Sequence, residues 1–214
     1  MQGWPDQVEK WSFQGSIIIS AMNLSRRCIL GKILTGLFLL KFPGHLSSGS
    51  ILNQESEQKI RLGYTSFIKE LQKSKNLLLQ KKLKELILQR EFGKGFDFHL
   101  RNAGLDFKEV QIISNAMMKA TKHGILNLKS FSLSYNPEIT DQGVGLLVKA
   151  FPPQITELGL VGCDLGDEAG EGIYQYLENS ALELVCIEGN NFSPVLMDKF
   201  KKLCEQKPNL SLLI

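Results

Sequence analysis

The segments LKSFSLSYN (128–136), ITELGLVGC (155–163) and LELVCIEGN (182–190) decide how this chain folds. Each carries apolar residues at its first, fourth and sixth positions and an asparagine or a cysteine at its ninth. The segments begin at Leu128, Ile155 and Leu182, so the pattern returns every 27 residues. A fixed period of this size indicates a chain built from stacked structural repeats.

The alternation of apolar and polar residues within each segment predicts a short β-strand with one buried face. A strand of three or four residues cannot bury that face alone. Stacking equivalent strands about 4.8 Å apart builds a parallel sheet and a continuous core. The asparagine or cysteine is expected to turn inward, where it satisfies backbone groups at the end of the strand. In the first repeat, the turn 136–139 carries one extra residue and is expected to bulge.

A helix is predicted to return the chain after each strand. The helical segments 141–150, 167–178 and 194–206 each start with an acidic residue or a proline, as the first turns of helices prefer. After the last helix, Leu210 and Leu213 occupy the first and fourth positions of a new unit, and the sequence stops at Ile214. This arrangement predicts a truncated closing strand.

One degenerate repeat precedes the three clear ones. Its departure from the pattern is expected, since terminal repeats usually depart from the consensus. It starts at Gly95, and its return helix is predicted over 107–122. Its apolar positions are Phe98, Leu100, Ala103 and Leu105.

The pattern L-x-x-L-x-L-x-x-(N/C) at this long period resembles the leucine-rich repeat family, specifically its ribonuclease-inhibitor-like class. The resemblance covers about residues 95–214. It implies an α/β fold, a short solenoid with parallel strands on a concave face and helices on a convex face. Members of this class act as protein-binding scaffolds, among them inhibitors, receptor sensor arms, GTPase-activating proteins of the Ran type and effectors of intracellular bacteria.

Residues 51–94 are predicted to form an α-helical N-terminal cap, since an open-ended solenoid needs a cover over its core. Gly93 and Gly95 are expected to end the second helix of this cap. Between Lys59 and Arg90, nine basic residues face only two acidic ones, which predicts a solvated helix face, with contact to an anionic membrane or nucleic acid as the alternative. The apolar positions at helical spacing are Ile60, Tyr64, Phe67, Ile68 and Leu71 in the first helix, and Leu79, Leu83, Leu86 and Ile87 in the second.

Residues 1–50 form a separate N-terminal segment by composition. Its apolar stretch 28–42 is interrupted by Lys32, so it is shorter than the roughly 18 residues that a membrane-spanning helix needs. An apolar helix packed on the domain or at an interface is the favoured interpretation. A signal peptide that starts at Met22, or a disordered or misassigned start, is the alternative. The stretch 43–50 is rich in proline, glycine and serine and predicts a linker.

Composition excludes several classes of function. The net charge of +3 is too small to indicate nucleic-acid binding by itself. The sequence has neither a phosphate-binding loop nor the histidine and cysteine spacing of a metal site, so no cofactor or metal is expected. Its four cysteines lack the spacing of a disulfide framework, and they favour a reducing compartment. The expected location is the cytoplasm, or a host cell if the chain is a bacterial effector.

The polar positions of the strands predict a partner-binding surface on the concave face. His99 and Cys186 share one row of this surface, but three strand spacings, about 14 Å, separate them, which excludes a catalytic dyad. His99 neighbours Ser132, yet no third group is expected to orient the pair. The predicted rows are Asp97, Ser130, Glu157 and Leu184; His99, Ser132, Gly159 and Cys186; and Arg101, Ser134, Val161 and Glu188.

The sequence therefore predicts a monomeric, non-enzymatic protein–protein interaction module that binds a partner protein on this concave face. A bacterial, effector-like repeat protein fits the few repeats and the basic N-terminal region. The first alternative is a GTPase-activating or regulatory protein of the Ran type, although such proteins carry many more repeats. The second is an adaptor attached to a membrane through residues 28–90.

Overall fold

A computed structural model of the chain describes residues 48–88 and 95–214, with side chains from residue 54 onward. The apolar stretch 28–42, the alternative start at Met22 and the helix-ending Gly93 lie outside the described residues. So does most of the predicted linker 43–50.

Two helices precede the first strand, and from that strand onward strands and helices alternate. The helices are α1 (Ser48–Leu71), α2 (Leu77–Leu88), α3 (Phe107–His123), α4 (Thr140–Ala150), α5 (Asp167–Asn179) and α6 (Pro194–Gln206). The strands are β1 (Phe96–His99), β2 (Leu128–Ser132), β3 (Glu157–Gly159), β4 (Leu184–Cys186) and β5 (Ser211–Leu213).

The five strands form one parallel sheet in the order β1-β2-β3-β4-β5, so each strand pairs with the next one along the chain. Each connection between neighbouring strands contains a helix, as parallel strands require. The predicted α/β class with parallel strands is confirmed. The closing strand forms as well, because Val185 pairs with Leu212.

Equivalent apolar residues of the repeats lie side by side in the core. Phe98 pairs with Phe131, Phe131 with Leu158, and Leu158 with Val185. All four side chains are buried together with apolar residues of the helices, such as Ile113. Because the same position of each repeat points the same way, one face of the sheet is apolar throughout and packs against the helices.

Inward-facing asparagines form hydrogen bonds in the turns that follow the strands. The Asn136 Oδ1 atom accepts hydrogen bonds from the backbone N–H groups of Ala103 (2.8 Å) and Leu105 (3.1 Å) in the preceding turn. Its Nδ2 atom donates to the carbonyl oxygens of Leu100 (2.8 Å) and Leu133 (2.7 Å). One side chain thus satisfies backbone groups of two neighbouring turns, as the ninth position of the pattern predicts.

Asn190 repeats this arrangement two turns further on. Its Oδ1 atom accepts from the N–H groups of Cys163 (3.0 Å) and Leu165 (3.2 Å), and its Nδ2 atom donates to Leu160 and Ile187. Cys163 takes the place of asparagine in the intervening turn. Its thiol contacts the carbonyl oxygens of Leu133 (3.4 Å) and Val161 (3.5 Å), so a weaker donor satisfies fewer groups there.

The observed helix bounds agree with the predicted ones to within a residue or two from α3 onward. The extra residue of the first turn is accommodated in a 3-10 turn over Pro137–Ile139. Helix α1 begins at Ser48 and so includes the last three residues of the predicted linker. The prediction that Ile87 packs in the apolar stripe of α2 is wrong, because this side chain is exposed and the buried stripe consists of Leu79, Leu83 and Leu86.

Helix α1 packs next to the first strand, and α2 is joined to α1. The ring of Tyr64 meets the ring of Phe96 edge-on at 5.2 Å between centroids, and Phe67 contacts both Phe96 (5.7 Å) and Phe98 (5.6 Å). The Tyr64 hydroxyl donates to the carbonyl oxygen of Leu86 at 2.6 Å and so links the two helices. Within the described residues, none of the helices is both long and apolar enough to cross a membrane.

Candidate functional site

The side of the sheet opposite the helices carries the predicted partner-binding residues in register. Asp97 pairs with Ser130, Ser130 with Glu157, and Glu157 with Leu184. A second row forms one step along the strands: His99, Ser132, Gly159 and Cys186. The third row, Arg101, Ser134, Val161 and Glu188, follows the ends of the strands. We call these twelve residues the open face.

The open face differs in exposure from one position to the next. Its charged residues and its histidine are exposed to solvent: Asp97, His99, Arg101, Glu157 and Glu188. Four residues are partly buried, namely Ser132, Val161, Gly159 and Leu184. Ser130, Ser134 and Cys186 are buried, so these three side chains contribute little exposed surface to the open face.

Serine hydroxyls in the middle of the open face are bonded to one another and to the backbone. The Oγ atoms of Ser132 and Ser134 lie 3.1 Å apart, and Ser134 Oγ accepts a hydrogen bond from the N–H of Val161 at 3.1 Å. Gly159 leaves room for this pair, since a Cβ there would come within 2.7 Å of Ser132 Oγ. Ser134 therefore has a structural role in joining two strands.

His99 pairs with Ser132 in the register of the sheet, as predicted, but its imidazole contacts the side chain of Ser130. Its Nε2 atom lies 2.7 Å from the Oγ of Ser130, whereas the Ser132 hydroxyl bonds to Ser134 in the turn after β2. Partial desolvation is the main cause that lowers the pKa of the His99 imidazole. The carboxylates of Asp97 and Glu157 oppose this effect, and Lys82 adds to it. An imidazole beside a hydroxyl is typical of a polar surface contact, and a nucleophile would need a further orienting group.

Cys186 is poorly suited to nucleophilic chemistry. Burial raises the pKa of its thiol to about 11, and the carboxylates of Glu188 and Glu157 act in the same direction. The thiolate is the reactive form, so this environment suppresses reactivity at neutral pH. Among the described residues, no group of three or more histidine, cysteine or acidic side chains is placed to hold a metal ion.

Tyr135 borders the open face, although the alternating pattern does not predict it there. It has a left-handed backbone conformation with φ of 62°, and its side chain is 39% exposed. Its ring lies over Gly162, where an added Cβ would come within 3.2 Å of the ring carbons. The guanidinium carbon of Arg101 lies 4.0 Å from the centre of this ring. The only sequence signal for this geometry is the glycine at the equivalent position of the two following repeats, Gly162 and Gly189.

The arrangement offers a polar surface with small residues at its centre and charged or aromatic groups around them. Comparison with known proteins identified no relative of this chain. No protein-family model matches the chain, and no curated protein is significantly similar to it.

Proposed function

We propose that residues 95–214 form a leucine-rich repeat solenoid of the ribonuclease-inhibitor-like class, with α1 and α2 as its N-terminal cap. Three observations support this assignment. The period of 27 residues in the sequence corresponds to consecutive strands of one parallel sheet. The ninth-position asparagines form hydrogen bonds with backbone groups of adjacent turns. Aromatic side chains of α1 contact those of β1 and so cover the first repeat.

The proposed function is non-enzymatic binding of a partner protein on the open face. The observation that carries this proposal is the exposure of charged residues around a floor of small ones. Exposed Glu157 on β3 and exposed Glu188 in the turn after β4 lie on the same face as Gly159, and the Arg101 guanidinium lies over the Tyr135 ring at the edge. A floor without bulky side chains admits a protruding loop or helix, and exposed charges set its orientation and the rate of encounter.

The test is a pull-down from cell lysate with the full chain, compared with a variant that reverses three charges of the open face. The variant carries Arg101→Glu, Glu157→Lys and Glu188→Lys. We expect a defined partner to bind the natural chain and to be lost from this variant, because the open face then repels it.

A control variant has the same change in net charge on the helical side, with Lys149→Glu, Glu178→Lys and Glu205→Lys. All three positions are exposed, and both lysines are placed near helix C-termini, where positive charge is favourable. The control should retain the partner. Equal capture by all three proteins, each folded by circular dichroism, would show that the open face does not bind.

A further inference from the structure

Helix α2 has an outward stripe that nothing in the described part of the chain covers. Its inner side is formed by Leu79, Leu83 and Leu86, which are buried. The outward stripe consists of residues spaced by four, three and four, which place them on one side of a helix: Leu77, Lys81, Lys84 and Leu88. Leu77 is 84% exposed and Leu88 is 79% exposed.

Single exposed leucines are ordinary, but this pair belongs to a wider apolar surface. Leu78 and Ile87 flank the stripe and are 46% and 50% exposed. Four large apolar side chains of one twelve-residue helix are therefore open to water. Exposure of this kind on a polar-rimmed surface indicates an interaction site.

The charge on the same stripe is positive. Lys81 and Lys84 are exposed, and neither forms an ion pair with a carboxylate of the described residues. Lys75, just before the helix, is exposed as well. The single acidic residue of α2, Glu85, lies 3.9 Å from Lys82 on the flank of the stripe. The uncompensated lysines favour an anionic partner.

We propose that this stripe of α2 docks on the surface of an anionic phospholipid bilayer, with the helix parallel to the membrane plane. Leu77 and Leu88 lie 11 residues apart, or about 16 Å along the helix axis. A bilayer meets both ends at once, since the leucines enter the boundary of the acyl chains while Lys81 and Lys84 reach the lipid phosphates. A nucleic-acid backbone would satisfy the lysines and leave the leucines in water.

The proposal is tested by flotation of the full chain with two kinds of vesicle, phosphatidylcholine mixed with phosphatidylserine and phosphatidylcholine alone. The natural protein should float with the anionic vesicles, and added salt should weaken its binding. The variant Lys81→Gln/Lys84→Gln should bind the anionic vesicles roughly 25-fold more weakly, at the usual contribution of a lysine near such a surface.

A second variant, Leu77→Gln/Leu88→Gln, removes the apolar anchors and should bind at least about tenfold more weakly. Glutamine retains helix propensity, and neither leucine is part of the core, so both variants are expected to fold. The control is Val195→Gln/Lys202→Gln on α6, which also removes an exposed apolar residue and an exposed lysine seven positions apart. It should float like the natural protein.

Three outcomes would overturn the proposal. The first is a natural chain that stays with the soluble fraction, including one that binds duplex DNA instead of vesicles. The second is equal flotation of the natural chain and both α2 variants, which would place the contact elsewhere in the chain. The third is flotation that is equally strong on uncharged vesicles and unaffected by the lysine substitutions.

Discussion

The guanidinium carbon of Arg101 lies 4.0 Å from the centre of the Tyr135 ring. These residues come from neighbouring repeats, and the contact places a positive charge and an aromatic face together at the edge of the open face. The positive φ of Tyr135 makes this possible, because it turns the side chain away from the position that strand alternation would give it.

The Arg101–Tyr135 contact is expected to couple the two residues energetically. In a double-mutant cycle with Arg101→Ala and Tyr135→Ala, the coupling free energy should be about 0.5–1 kcal/mol, the usual range for an exposed cation–π pair. Urea unfolding of the four proteins measures it. Strictly additive free energies of unfolding would show that the two side chains contribute independently.

Asn136 is expected to be among the most sensitive positions in the chain. The substitution Asn136→Ala leaves buried backbone groups of two turns without partners, and we expect the free energy of unfolding to fall by about 2–4 kcal/mol. Asn191→Ala is the control, because Asn191 is exposed and its side-chain amide donates a hydrogen bond to the exposed Asp164 carboxylate instead of to buried backbone. If the two variants unfold at similar urea concentrations, Asn136 does not stabilise the turns in this way.

Two helical glycines should respond to alanine in opposite directions. At Gly63 in α1, an added Cβ would come within 2.3 Å of the carbonyl oxygen of Ile125, so Gly63→Ala should destabilise the protein by about 1–3 kcal/mol. At Gly145 in α4, nothing lies within 4 Å of an added Cβ. Gly145→Ala should therefore stabilise the protein by about 0.5–1 kcal/mol through higher helix propensity. Thermal unfolding of both variants shows whether each substitution raises or lowers stability. A stabilising Gly63→Ala would contradict the close approach of an added Cβ to the Ile125 carbonyl.

Glu70 should make stability depend on pH. Burial disfavours ionisation of this carboxyl, but hydrogen bonds from Lys119 (2.7 Å) and Lys73 (2.5 Å) outweigh that effect and lower its pKa below the ordinary 4.5. A lowered pKa adds stability that is present above pH 4.5 and is lost as the pH falls through the folded-state value. Both lysines are half exposed, so the contribution is about 1 kcal/mol.

The variant Glu70→Gln tests this origin of the pH dependence. Its deficit in the free energy of unfolding should be present at neutral pH and should disappear in acid, where the natural Glu70 is also uncharged. Glu55→Gln removes an ion pair with Lys59 that is exposed to solvent, and it should have the smaller effect. A deficit for Glu70→Gln that persists unchanged in acid would indicate lost packing instead of lost charge.

Cys186 should react slowly with thiol reagents. With a thiol pKa of about 11, only roughly one molecule in a thousand carries the thiolate at about pH 8. In native protein labelled with iodoacetamide, mass spectrometry should find the partly exposed Cys204 modified well before Cys186. Glu157→Gln/Glu188→Gln should lower the pKa of Cys186 and speed its labelling, whereas Cys186 labelling first in the natural chain would contradict this account.

Much of the fold follows from local repetition in the sequence. The positions of Phe131, Leu158 and Val185 predict their pairing across three strands, because identical spacing turns equivalent side chains toward the same core. The role of Asn136 is equally predictable, since a buried amide at a strand end must satisfy the backbone around it. These features depend on short-range periodicity, which a sequence records directly.

Which side chains are exposed on the surface could be read only from the tertiary structure. Alternation places Ser130 and Cys186 on the open face, but only the packing of neighbouring strands shows that they are buried. Tyr135 borders that face because its φ angle is positive. Ile87 and Leu88 are exposed on a helix whose composition favours burial. The sequence by itself determined the repeats, the parallel strands and the core, whereas exposure was decided by contacts between residues far apart in the chain.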